Sequence, residues 1–111
     1  MSPNTKPVTM LVTYRPKKGK EEELFELVKQ HWPVLSRAGL VTKDPVRLYR
    51  ATDKRTGAIS FVEIFSWKDE QAPGLAHQLP EIMAIWEPMS PILEGGPSPE
   101  LAFVEAVSDK A

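Results

Sequence analysis

The sequence predicts an α+β domain built around a four-stranded antiparallel sheet, and three observations predict it. Apolar residues alternate in four short stretches and recur at three- and four-residue steps in two longer ones. These stretches follow one another in the order β-α-β-β-α-β. The chain has 111 residues, enough for one small domain and no more.

Residues 1–7 are polar and hold two prolines, so they read as a disordered tail. Val8 to Arg15 alternates Val8, Met10, Val12 and Tyr14 against Thr9, Leu11, Thr13 and Arg15, the pattern of a strand. From Lys20 to Ala38 the period becomes helical, with Leu24, Leu27, Val28, His31, Trp32 and Leu35 on one face and Glu21, Glu22 and Glu23 at the positive start. Pro33 is expected to kink this helix or end its first segment, and Gly39 to stop it. Val46–Thr52 and Ala58–Trp67 flank a polar loop closed by Gly57, which reads as a hairpin. Lys68 to Leu93 is helical in period, with Leu75, Leu79, Ile82, Met83 and Trp86 on one face, but its prolines divide it into two segments. Pro80 is expected to open the second, with Leu79 extended before it. Leu101–Val107 is the last strand and residues 108–111 a polar tail, so residues 8–107 form a single domain. An order of β-α-β-β-α-β in one short chain is the ferredoxin-like arrangement, with both helices on one face of the sheet.

Strand three is apolar on both sides, with Ile59, Phe61, Phe65 and Trp67 against Val62 and Ile64, and so is strand four, with Leu101, Phe103 and Val107 against Ala102, Val104 and Ala106. Two helices cover one face, so the second is expected to pack against another copy, giving a homodimer. With 14 basic and 15 acidic residues the net charge is −1, which speaks against nucleic acid and membrane partners. Cysteine is absent, which removes disulfides and thiolate chemistry. No secretory leader pattern or long apolar run occurs, so a cytoplasmic protein is expected.

Several residues could carry chemistry. Glu63 alternates onto the side of Phe61, Phe65 and Trp67; beneath the helices it would be a carboxylate in apolar surroundings, suited to general acid–base work. Alternatively, it pairs across the hairpin with Arg47 or Arg50. His31 falls on an apolar helix face, where it is either a hydrogen-bonded residue at the core edge or a pocket group. His77 lies near the helix break and reads either as a partner for freed carbonyls or as a pocket-facing donor. Trp32, Met83 and Trp86 stand at helical spacing, where core packing competes with a binding role. The two histidines with Glu63 lack any metal-ligand spacing, so no metal is expected, and there is no phosphate-binding loop or nucleophile elbow.

The run FVEIFSWKDEQAPGLAHQLPEIMAIWEPMSPIL resembles the second half of antibiotic-biosynthesis-monooxygenase-like domains of the dimeric α/β-barrel superfamily. The residues that carry the likeness are Glu63, Trp67 closing its strand, Ala72 opening the helix, then His77, Pro80 and Trp86, and it extends from Val8 to Val107. It departs in two places. Phe65 stands where the acid often lies, and Pro73-Gly74 displaces His77 by about one position. The resemblance implies a homodimer with a small-molecule pocket between each sheet and its helices. Some members oxidise aromatic substrates with dioxygen and no cofactor, while others degrade haem, isomerise small lactones or have no known activity. The haem branch would need an asparagine on the first strand, and a tryptophan and ligand histidine where Ala76 and Trp86 fall, so no haem is expected.

The first functional expectation is therefore a cofactor-independent, monooxygenase-like enzyme for an aromatic or flat apolar molecule. Glu63 would be its base, with His77 or Tyr14 as donor, and Tyr14, His31, Trp32, Phe61, Phe65, Met83 and Trp86 would bind the substrate. A non-catalytic, ligand-binding or stress-associated dimer, and an isomerase or lyase shuttling protons between Glu63 and His77, are the alternatives.

Overall fold

A computed structural model describes residues 6–96, 98–105 and 107. Most of both expected tails, residues 1–5 and 108–111, and Ala106 lie outside the described residues. Strands β1 (Val8–Tyr14), β2 (Arg47–Thr52), β3 (Ile59–Trp67) and β4 (Glu100–Val104) form one antiparallel sheet in the order β2-β3-β1-β4. With helices α1 (Glu21–Arg37), α2 (Ala72–Ala76) and α3 (Pro80–Met89) this is the ferredoxin-like arrangement.

The alternation sets the layers. Met10, Val12 and Tyr14 on β1 and Phe61, Phe65 and Trp67 on β3 are all buried on the face beneath the helices. Leu24, Val28, His31 and Leu35 recur along α1 and close over them. The packing of α1 on α3 completes the layer. Turn chemistry also follows expectation. Gly39 (φ 74°) ends α1, and Gly57 (φ 77°) closes the β2–β3 hairpin, where the Asp53 side chain accepts the Arg55 N–H at 2.8 Å.

Four differences from the expectations have physical causes. Pro33 lies inside an uninterrupted α1, because it occupies the exposed face, where the carbonyl it leaves unpaired meets water. The second helical region begins at Ala72 rather than Lys68. Asp69 holds the preceding turn by accepting the Gln71 and Ala72 N–H groups at 2.9 and 3.0 Å. Leu75 is 43 % exposed, since α2 turns Ala72 and Ala76 inward instead. Finally, β4 ends at Val104, and all five of its residues are exposed on an edge that the helices do not reach. The break before α3 is as expected: Leu79 is extended (φ −102°, ψ 120°) and Pro80 is the first helical residue.

Leu24, fully buried in the first turn of α1, is expected to lose about 2–5 kcal/mol of unfolding free energy as Leu24→Ala, against about 0.5 kcal/mol for Leu75→Ala. Urea denaturation of the two variants checks the contrast.

Candidate functional site

Beneath the helices, four elements meet at one polar cluster. In the sheet register Tyr14 lies opposite Phe61 and Val12 opposite Glu63, so Tyr14 and Glu63 stand one pleat apart on the same face. Glu63 is 1 % exposed, and its neighbour on β2 is Leu48, so it makes no cross-strand pair with arginine. Arg50 instead lies 5.9 Å from the centroids of the Phe25 and Phe61 rings. The Tyr14 hydroxyl donates to Oε1 of Glu63 at 2.7 Å, and Nδ1 of His31 lies 2.9 Å from the same oxygen. On the far side of the imidazole, the Trp86 indole N–H donates to Nε2 of His31 at 2.8 Å.

These contacts fix the hydrogens. An indole nitrogen only donates, so Nε2 of His31 accepts and is unprotonated. The ring hydrogen is therefore on Nδ1 and is donated to Glu63, which thus accepts two hydrogen bonds on one oxygen, as suits a carboxylate. The Tyr14 oxygen, 3.3 Å from Nδ1, sits at the edge of this pair. Burial pushes the Tyr14 phenol well above its usual value of 10.0, and the neighbouring Glu63 raises it further by its charge and by accepting the hydroxyl hydrogen.

Tyr14 and His31 face a cavity of about 170 Å³ between the sheet and α3, opening toward β4. Its walls are largely apolar: Met10 and Val12 of β1, Phe65 and Trp67 of β3, Trp86 and Met89 of α3, then Leu93 and Leu101. Trp67 is held by its N–H donating to the Met10 sulfur at 3.3 Å. Glu63 is not part of the wall; it lies behind Tyr14 and His31. His77 lines the rim, exposed, its ring 4.8 Å from that of Trp86. The place beside Glu63 that His77 was expected to take is occupied by His31.

Of the other residues expected to line a pocket, Phe65 and Trp86 do so, whereas Phe61, Trp32 and Met83 do not. Phe61 stacks on Phe25 at 5.1 Å under the start of α1. Trp32 is turned by about 100° from its neighbour His31, as successive helical residues are. Its Nε1 is buried with no partner among the described residues. Met83 sits about one helical turn before Trp86, short of the cavity. Sequence reasoning missed Met10, Val12, Trp67, Met89, Leu93 and Leu101 as walls, although the alternation of β1 already aligned Met10 and Val12 with Tyr14.

No protein-family model and no curated protein matches the chain by sequence. Solved structures match it in shape. SnoaB, a cofactor-independent oxygenase from Streptomyces nogalater, aligns with a TM-score of 0.66 and 16 % identity over 93 % of this chain and 95 % of its own. A protein of Chloroflexus aurantiacus J-10-fl, provisionally named an antibiotic biosynthesis monooxygenase, aligns at 0.65 with 11 % identity over 96 % and 98 %. A dimeric ferredoxin-like protein of unknown function from Jannaschia sp. CCS1 aligns at 0.69 with 12 % identity over 90 % and 99 %. The chain has the fold of these proteins. The resemblance read from the sequence therefore holds for the ferredoxin-like fold. At such low identity it assigns no residue its role.

The raised pKa of Tyr14 has a sign that can be measured. Above about pH 10 the unfolded chain releases this proton while the folded chain keeps it, so stability falls as pH rises toward the folded value. Tyr14→Phe is expected to remove that part of the alkaline loss and, near pH 7, to cost roughly 1–3 kcal/mol by depriving Glu63 of a donor. Unfolding free energies at neutral pH and between about pH 9 and 11 check both effects.

Proposed function

We propose that the chain is a cofactor-independent oxygenase for a flat, apolar small molecule, with His31 as the group that takes the substrate proton and Glu63 as the residue that positions it. The observation that supports this most is the Glu63–His31 pair, 2.9 Å apart, with His31 facing an aromatic-lined cavity. Glu63 holds the hydrogen of His31 on Nδ1, leaving Nε2 as the basic nitrogen, and compensates the imidazolium once a proton arrives. Tyr14 supplies the second hydrogen bond to Glu63.

Loss of a proton to His31 leaves an electron-rich anion. Electron transfer to dioxygen and recombination form a carbon–oxygen bond, and the resulting peroxide anion takes the proton back from His31 to give a hydroperoxide. Loss of water from that peroxide leaves a carbonyl, so the substrate is oxidised and one dioxygen supplies one oxygen atom to product and one to water. The apolar walls favour this sequence by excluding bulk water from the anion. Likeness in fold to a cofactor-independent oxygenase supports the same reading. His77, at the rim, belongs to the entrance in this scheme rather than to the proton transfer.

We further propose a homodimer that pairs the uncovered faces of two sheets. Tyr49 (51 % exposed) and Val104 (38 %) share that face with the half-buried Leu11, Val62 and Ile64, an apolar patch of the kind partners cover. One protein of the same fold is described as dimeric.

His31→Gln and Glu63→Gln are each expected to reduce oxygen uptake with an aromatic hydroxyl substrate by about 10²–10⁴-fold. Unchanged uptake in both would remove the proton-transfer assignment, and turnover that persists without oxygen would favour an isomerase or lyase. If the aromatic compounds bind without turnover, the site is a binding module. Sedimentation at micromolar concentration is expected to give twice the chain mass, and a monomer would remove the sheet-to-sheet dimer.

A further inference from the structure

The buried polar groups at the cavity wall already have partners. Tyr14 donates to Glu63, Nδ1 of His31 donates to Glu63, and Nε2 of His31 accepts from Trp86. A ligand with a polar head must therefore exchange one of these bonds. Tyr14, Glu63 and His31 are 2 %, 1 % and 4 % exposed, so breaking either bond to the carboxylate would strand a buried group. Trp86 is only partly buried, lies beside the open rim and packs against the exposed His77, so its N–H can turn to water. The bond from Trp86 to Nε2 is the exchangeable one.

Nε2 only accepts, so whatever replaces the indole must donate. We propose that the cavity binds a one-ring compound carrying an acidic hydroxyl, a phenol or cyclic enol, and that its O–H takes the place of the Trp86 N–H on His31. This deepens the function proposed above and rests on His31 being the proton acceptor. The size follows from the cavity: about 150 Å³ of apolar space is enough to hold a benzene ring, and this cavity is about 170 Å³. The acidity follows from the charges. A proton passed to Nε2 makes an imidazolium held between the Glu63 carboxylate and the new oxyanion, so it is compensated on both sides. Trp86 thereby becomes a specificity-determining residue: a ketone, ether or bare ring offers Nε2 no hydrogen and leaves the indole in place.

The test is calorimetric titration of the wild-type protein and Trp86→Phe with phenol, anisole, toluene and the three-ring 2-anthrol, with nitrogen NMR of His31 in the phenol series and circular dichroism to confirm that the variant folds. Phenol is expected to bind the wild type roughly tenfold or more tightly than anisole or toluene and to shift the Nε2 resonance. In Trp86→Phe the preference for phenol over toluene is expected to increase several-fold, because no indole bond is given up. Equal binding of phenol and anisole, or an unchanged phenol-to-toluene ratio in Trp86→Phe, would overturn the donor exchange. Tighter binding of 2-anthrol than of phenol would overturn the one-ring limit; if its oxygen uptake then required His31, the proposed function would stand without that limit. No binding by any of the four at millimolar concentration would overturn this inference, whereas His31-dependent oxygen uptake by another substrate would preserve the function.

Discussion

A carboxylate under a layer of helices is the constraint around which this domain is organised. Glu63 is buried among aromatic side chains, and an ionised group there is tolerated only if hydrogen-bond donors replace the water it has lost. Tyr14 and His31 supply them, and Trp86 caps the other nitrogen of the imidazole. The four residues come from β1, α1, β3 and α3, so satisfying one carboxylate ties every layer of the fold to the others. The same bonds select one tautomer of His31 and direct its basic nitrogen away from the sheet. Structure and reactivity thus have a common origin: the group that needs donors also determines what those donors can do.

The proline-broken second helical region sets how open the site is. Because Leu79 is extended and Pro80 begins a new helix, α3 brings Ile82, Ile85 and Met89 onto the core while Trp86 stays at its margin. A tryptophan at the margin can close the cavity and still reach water, which a buried one could not. Opposite it, β4 is bonded to β1 at the edge of the sheet and carries Leu101 and Phe103, 59 % and 66 % exposed, on the cavity side beyond the helices. The sheet is therefore covered over its centre and open at this edge, and the cavity lies at the transition. The ion pair of Arg15 with Glu100, at 2.5 Å, joins the end of β1 to the start of β4 at this same edge, and the guanidinium lowers the pKa of the Glu100 carboxyl. Both side chains are well exposed, so screening by water limits what the pair contributes.

The chain order, the alternation of β1 and β3, the glycines at positions 39 and 57 and the start of α3 at Pro80 were all legible in the sequence, and so was the placement of Glu63 with the buried aromatics. Each of these follows from local rules: the period of a strand or helix, the freedom of glycine, the fixed φ of proline. Local rules fell short where neighbours decide the outcome. A proline inside α1 is harmless on its wet face, a leucine on α2 is exposed because two alanines fit closer to the sheet, and β4 is uncovered because the helices end short of it. Which histidine meets Glu63 belongs to the same group. His31 and His77 are comparable as residues on helical segments, and only the packing of α1 over β3 brings one of them to 2.9 Å while leaving the other at the rim. The sequence by itself determined the elements and the face on which the acid lies, since these depend on residues a few positions apart. The tertiary structure decided the acid's partner, its tautomer and the size of the cavity beside it, because these depend on side chains between 17 and 55 residues apart that meet only when the layers close.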